Sequence, residues 1–448
     1  MTDKYTPSTA YLDQINARVE EKIATASPVP TELGHYSGQE ELWDGVDKAA
    51  QQFHEELVEL ALDLHAHPET AFEEFRSAEQ ITNLLRRHGF DARKGVHGVD
   101  TAVRAEWASP DFTSGEHPTI AVISEYDALP GIGHACGHNV IAACGLGGFL
   151  AATQVLKDSD AQGKVVFLGT PAEEGHSGKE YLIQAGAFDG IDAAVMIHPF
   201  TYDIGSHVWV GRRNLEVTFH GKPAHASSEP FMGRNALDAA SLAYQAFGLM
   251  RQQMPPSDRL HAIINEGGER ASIIPETAQM NIYVRSLYTD TLVDLSQRVD
   301  DIITGAALMA GVTVTTNWDV HPATLPVRNN HALAERWRTT QARRGRDPLP
   351  AGIIPETLAA STDFGNVSHL IPGIHPMVKI APVGVALHTG DFEQAAASDA
   401  AAEGILDSTI GLGQVIVDAI VDPALLDAAR ADFAAAGEPV RCSELFST

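Results

Sequence analysis

The chain has 448 residues, with 31 lysines and arginines against 59 aspartates and glutamates and a net charge of −28. That length exceeds one ordinary domain, and the acidic balance argues against nucleic acid or an anionic membrane as a partner. Three cysteines (Cys136, Cys144, Cys442) give no disulfide framework, and Met1-Thr-Asp-Lys-Tyr5 does not lead into an apolar stretch, so a cytoplasmic enzyme with a small-molecule substrate is expected.

Residues 1–38 carry few apolar positions and are expected to pack loosely on the surface. An amphipathic helix is expected over 40–65, with Phe53, Leu57, Leu60, Ala61 and Leu64 on one side, stopped by His67-Pro68. A second helix runs over 75–89 and closes on Gly89. Strands and helices then alternate to about residue 207, which predicts an α/β domain with helices on both sides of a mixed sheet. The most apolar window, 140–156, is interrupted by Gly145, Gly147 and Gly148 and reads as a buried helix, not a membrane span. From Trp209 the pattern changes. Residues 214–220 alternate, 236–254 are helical, 279–287 alternate again, 291–309 are helical, and 312–318 form a last strand. This β-α-β-β-α-β-like order predicts an α+β, ferredoxin-like domain over 208–324, inserted into a discontinuous catalytic domain over 1–207 and 325–448. The catalytic domain is expected to take in 364–368 and His388 and to finish on a helix over 400–421.

The chemistry-bearing residues cluster. Cys136 and His138 stand one residue apart in a segment too rich in glycine to be helical, and an i, i+2 pair there can aim both donors to one side. Alone, the pair reads more readily as a buried free cysteine beside a polar histidine. Three further donor sets follow apolar runs: Glu173-Glu174 after 163–170, His198 after 193–197, and His388 after 377–387. Strands of α/β sheets deliver functional groups at their carboxyl ends, which places these donors in one region. Cys136, His138, one of the two glutamates, His198 and His388 make five candidate ligands. A single catalytic zinc keeps three protein ligands and an open position, so the count favours two divalent ions. Thiolate and imidazole suit Zn2+, while carboxylate admits Mn2+ or Co2+. Adjacent residues of an extended chain point to opposite sides, so one glutamate ligates while its neighbour is left to handle a proton. Asp127 is either the partner that orients a ligand imidazole or a turn carboxylate before Pro130-Gly131.

Gly133-His-Ala-Cys-Gly-His-Asn139, Pro171-Ala-Glu-Glu-Gly175, His220-Gly-Lys-Pro-Ala-His-Ala226 and Ser361-Thr-Asp-Phe-Gly-Asn-Val-Ser368 resemble the M20 family of metallopeptidases and amidohydrolases, most closely subfamily D. The motifs run from about His67 to His388 and are specific for the family but weak on substrate. The resemblance implies amide-bond hydrolysis of a small dipeptide or an N-acyl or N-aroyl amino acid by a metal-activated water. It implies Glu173 as general base and Glu174 as ligand. It gives His225 to the active site of a homodimer partner as oxyanion donor, the inserted domain making the dimer, and Arg285 to a substrate carboxylate. By position alone, His225 reads as a solvated turn residue and Arg285 as a solvent-facing strand residue. Glu125 departs from the pattern, standing where many members outside the branch carry a histidine ligand, and is left out of the metal shell. His134 reads as a loop residue, Ser272 stands where relatives often carry asparagine, and Asp363 and Asn366 are left unassigned. The alternative is a metal-binding subunit of a two-subunit hydrolase, inactive alone. An intact Glu173 argues against it, since a scaffold has no use for a base beside its ligand.

Overall fold

The computed structural model describes residues 6–32, 36–356 and 359–446, so the stretch 1–5 read for a leader lies outside the described residues. The strands among them are β1 (Arg93–Lys94), β2 (Val103–Ala108), β3 (Thr119–Ser124), β4 (Lys164–Gly169), β5 (Ala193–Val195), β6 (His198–Phe200), β7 (Gly211–His220), β8 (Arg259–Glu266), β9 (Thr277–Ser286), β10 (Thr313–Trp318), β11 (Gly373–Ile374) and β12 (Met377–Lys379). The chain divides into two compact units. One holds 6–32, 36–207, 328–356 and 367–440, the other 208–327, 359–366 and 441–446.

The first unit is built on a six-stranded sheet in the order β1-β2-β4-β3-β5-β11. β3 runs parallel to β4 and β5, β11 parallel to β5, and β1 and β2 pair antiparallel, so the sheet is mixed. All six residues of β3 are buried, as a strand covered on both faces requires. A separate parallel pair, β6 with β12, brings His198 opposite Met377.

Helix His138–Lys157 forms the middle of this core and, like Asp399–Val421, is long and apolar enough to cross a membrane, yet 89% of its most apolar window is buried inside the protein. Its glycines let three neighbours approach. A Cβ on Gly145 would lie 2.2 Å from Ser124 Oγ; one on Gly147 would lie 2.6 Å from Leu57 Cδ1, and one on Gly148 2.7 Å from Leu412 Cβ. Those contacts belong to β3, to helix Gln39–Ala66 and to helix Asp399–Val421 in turn. Within the N-terminal stretch expected to pack loosely, helix Ala10–Thr25 is mostly exposed, with Ile15 and Val19 buried.

The second unit is a four-stranded antiparallel sheet in the order β10-β7-β9-β8. Alternate residues Leu215, Val217, Phe219, Met280, Ile282 and Val284 face helices Ala236–Met250 and Thr289–Ala310 in one apolar core. Residues 325–327, 359–366 and 441–446, from outside 208–324, belong to this unit. Asn366 accepts from the Leu325 N–H at 2.8 Å and donates to Ala323 O at 3.0 Å, and Cys442 Sγ donates to Ala323 O at 3.2 Å. Phe446 lies under the Arg213 guanidinium at 4.0 Å. These bonds join residues far apart in sequence, which no local pattern announces.

Gly147→Val drives its side chain against Thr409 Oγ1 and Leu57 Cδ1, which would lie 2.3 and 2.6 Å from the Cβ, so overpacking is expected to destabilise the protein by about 3 kcal/mol. Denaturant unfolding followed by circular dichroism checks this, and an unchanged midpoint would mean that the helices have room to part.

Candidate metal centre

β3 ends at Ser124, and the chain continues through Glu125, Tyr126 and Asp127, all buried. Asp127 uses both oxygens. Oδ1 accepts from His138 Nδ1 at 3.0 Å, and Oδ2 accepts the backbone N–H of Glu174 at 2.8 Å. Burial raises its carboxyl, but the adjoining His138 and the Glu174 N–H more than offset this and hold it below the ordinary range.

His138 is the first residue of its helix, directly after Gly137, whose φ of 79° is left-handed. A Cβ on Gly137 would lie 2.9 Å from Pro199 Cγ, so glycine is needed for β6 to come this close. His198 follows β5, which ends at Val195, and is the first residue of β6. Its Nδ1 donates to its neighbour's carbonyl, Pro199 O, at 2.7 Å, leaving the Nε2 lone pair 3.5 Å from Cys136 Sγ. Asp127 fixes the same tautomer on His138. Burial, aided by the neighbouring His138, lowers the pKa of His198 to about 4, so the ring is a neutral donor near pH 7.

His388 corrects the strand-end expectation. The apolar run stays a strand only from Met377 to Lys379; Pro382 supplies no N–H and Gly384 turns at φ 96°. His388 sits in a loop at φ 61°, fastened by its N–H to Ala135 O at 2.9 Å, on the turn that carries Cys136. Its Nε2 lies 3.3 Å from Glu174 Oε1.

The donor atoms form three overlapping groups. Those of Cys136, His138 and His198 lie within 4.8 Å of one another, as do those of Cys136, Glu174 and His388, and those of His138, Glu173 and Glu174. Among the described residues the buried His138 Nε2 has no hydrogen-bond partner and the buried Glu174 Oε1 has only His388 Nε2 beside it at 3.3 Å, a state a cation relieves. Burial, with the charge of Glu174 added, pushes the Cys136 thiol well above its ordinary value, so a thiolate there requires a compensating cation. One thiol, imidazoles and carboxylates fit a first-row divalent ion.

The remaining residues separate. Glu125 lies 3.6 Å from His138 Nε2 but is ion-paired to the fully buried Lys179, a partner the sequence reading missed because nothing local marks that lysine. His134 is buried, its pKa lowered to about 3 by burial, and it stacks near His65 at 6.4 Å outside all three donor groups. His225 and Arg285 belong to the second unit. His225 Nδ1 accepts the backbone N–H groups of Ser227 and Ser228, each at 3.2 Å, so in the neutral ring the proton is on Nε2. Arg285 lies over the Tyr283 ring at 4.7 Å and donates to its hydroxyl at 3.1 Å.

The family profile described as Peptidase family M20/M25/M40 matches residues 121–404. The chain is 36% identical over 394 residues to Xaa-Arg dipeptidase of Mus musculus, covering 87% of this chain and 90% of that protein. It is 27% identical to one of the subunits of p-aminobenzoyl-glutamate hydrolase from Escherichia coli (strain K12), covering 86% of this chain and 94% of that one. The solved structure of the Bacillus subtilis YXEP protein, a dinuclear metal-binding peptidase from the M20 family, shares the fold. Its TM-score is 0.61 at 21% identity, over 83% of this chain and 100% of that chain. The protein therefore belongs to peptidase family M20/M25/M40 and is a hydrolase of that family.

Cys136 is a member of two donor groups, so Cys136→Ala is expected to lower bound metal below the wild-type content as well as activity. Elemental analysis showing an undiminished content would remove Cys136 from the ligand set.

Proposed function

We propose that the protein hydrolyses the amide bond of a small dipeptide or an N-acyl or N-aroyl amino acid, using two divalent ions (Zn2+, Mn2+ or Co2+). Cys136, His138, Glu174, His198 and His388 hold them. The observation that carries this reading is the overlap of three donor groups, since five ligands exceed what one catalytic ion takes. Bound divalent ions supply a lowered pKa for water and polarisation of an amide carbonyl. The printed names of the two curated relatives, an Xaa-Arg dipeptidase and a p-aminobenzoyl-glutamate hydrolase, support an amide between an acyl group and an amino acid.

Glu173 takes the proton of the attacking water and returns it to the leaving nitrogen. Glu174 ligates. Its backbone is pinned by Asp127 and its carboxylate belongs to two of the donor groups, whereas Glu173 belongs to one. His225 donates its Nε2–H to the developing oxyanion, a role supported by the tautomer that Ser227 and Ser228 impose. Arg285 pairs with the substrate carboxylate through its planar guanidinium. The protein is a homodimer through the second unit, where edge strand β8 leaves Ile263 and Ile264 61% and 38% exposed, and each active site takes His225 from the partner chain.

A metal-replete screen of dipeptides against N-acyl and N-aroyl amino acids tests the reaction, and absence of any turnover would favour an inactive subunit. Glu173→Gln keeps the shape of the side chain and is expected to retain both metals while losing about 10²–10⁴ in kcat. Near wild-type turnover in that variant would take the base role from Glu173. In mixed dimers, inactive His225→Ala chains combined with inactive Glu173→Gln chains are expected to restore about one working site per heterodimer. No recovery, with heterodimers verified by sedimentation, would place His225 in its own subunit's site or outside catalysis.

A further inference from the structure

Glu74 stands just before helix Phe75–Arg87, about one hundred residues from the Glu173-Glu174 pair, and is fully buried. Its Oε1 accepts two backbone N–H groups, from Phe72 at 3.0 Å and from Ala172 at 2.9 Å, and its Oε2 pairs with Thr101 Oγ1 at 2.8 Å. Both backbone donors are non-glycine residues in the left-handed region, Phe72 at φ 64° and Ala172 at φ 61°. Side chains there crowd the backbone, so these conformations persist only where surrounding bonds hold them. Ala172 immediately precedes Glu173.

The same short segment grips the rest of that loop. The Phe72 ring stands edge-on to His176 at 5.7 Å and to Tyr181 at 5.5 Å, and His176 Nδ1 donates to Glu174 O at 2.8 Å. Thr101, held by Glu74, accepts the Tyr126 hydroxyl on its carbonyl at 2.6 Å, and Tyr126 is the neighbour of Asp127. One carboxyl group thus joins the loop that carries the base to the segment that carries Asp127. Its hydrogen-bond partners are all neutral, and burial, with the charge of Asp127 added, raises its pKa to about 7. A glutamine has the same shape, offers the same acceptor to both N–H groups and can donate to Thr101.

We propose that Glu74 is a positioning residue: by clamping the N–H of Ala172 in its left-handed turn, it sets the direction in which Glu173 leaves the chain. For catalysis this rests on the hydrolase reading above; for the loop it stands on the hydrogen bonds alone. Glycine adopts the conformation of Ala172 at no steric cost, so part of what Glu74 does can be replaced by Ala172→Gly.

The test compares wild type, Glu74→Gln, Glu74→Ala, Glu74→Asp and the double variant Glu74→Ala/Ala172→Gly. It reads amide hydrogen exchange over 172–181, metal content, and kcat and KM on the best substrate of the screen. In Glu74→Ala, exchange over the loop is expected to accelerate and kcat to fall about 10- to 100-fold, with metal content retained and KM nearly unchanged. Glu74→Gln is expected to stay within about threefold of wild type, and Ala172→Gly to recover part of the kcat lost in Glu74→Ala. Should Glu74→Ala fail to fold, Glu74→Asp, one methylene too short to reach both loops, is expected to show the same losses. Wild-type exchange and turnover in the Ala and Asp variants, a Gln variant as damaged as Ala, or loss of metal in step with kcat would each overturn the proposal. A wild-type enzyme inactive on every substrate overturns the hydrolase reading instead, and the clamp is then decided by the exchange rates.

Discussion

The Asp127 carboxylate is the fixed point from which the donor cluster is built. It receives the imidazole N–H of His138 on one oxygen and the backbone N–H of Glu174 on the other. Those two partners come from different loops, one after β3 and one after β4, and parallel pairing of β3 with β4 brings the loops to the same edge. A buried carboxylate with both oxygens satisfied keeps its charge and fixes geometry together, so the His138 ring and the backbone of Glu174 are held by one group. The backbone of Glu174 then sets its side chain against His388, and His388 is itself fastened to the Cys136 turn through Ala135.

Around this point the first unit buries several charged groups against partners of opposite sign. Lys179 and Glu125 form a fully buried pair beside His138. Further off, Asp418 accepts from Tyr36 at 2.6 Å, Trp43 at 2.8 Å, Gln39 at 3.2 Å and also Arg336, which bonds Asp422 as well. An unpaired charge at these depths would cost several kcal/mol, whereas satisfied networks fix one arrangement of the elements that meet there. The Asp418 network fastens the start of helix Gln39–Ala66 to helix Asp399–Val421, and those two helices flank the glycine face of His138–Lys157. Rigid support behind His138 and a strained, clamped loop in front of it are two halves of one device for holding donors still.

The second unit works by different means. Its core is apolar and is formed by one face of the sheet and two helices. Toward its surface stand a histidine whose tautomer is set by two backbone amides and an arginine laid on a tyrosine. Neither depends on a metal for its geometry.

Periodicity and composition were enough to mark the helices expected over 40–65 and 140–156 and the change of style near residue 209, because each rests on side-chain spacing within a short window, whereas the segment of Cys136 and His138, expected to be non-helical, turns into a helix at His138. The Cys-x-His pair, the Glu-Glu pair and the two lone histidines were legible for the same reason: donor atoms of unusual type stood beside apolar runs. What the chain could not announce was how those donors are held. His388 is placed by a loop nine residues beyond its strand, Glu125 is neutralised by a lysine fifty-four residues away, and Glu74 reaches Ala172 across ninety-eight. Sequence patterns report which groups a segment must bury or expose. Partners brought together only when sheets and helices pack carry no local signature, so their pairing was decided by the tertiary structure.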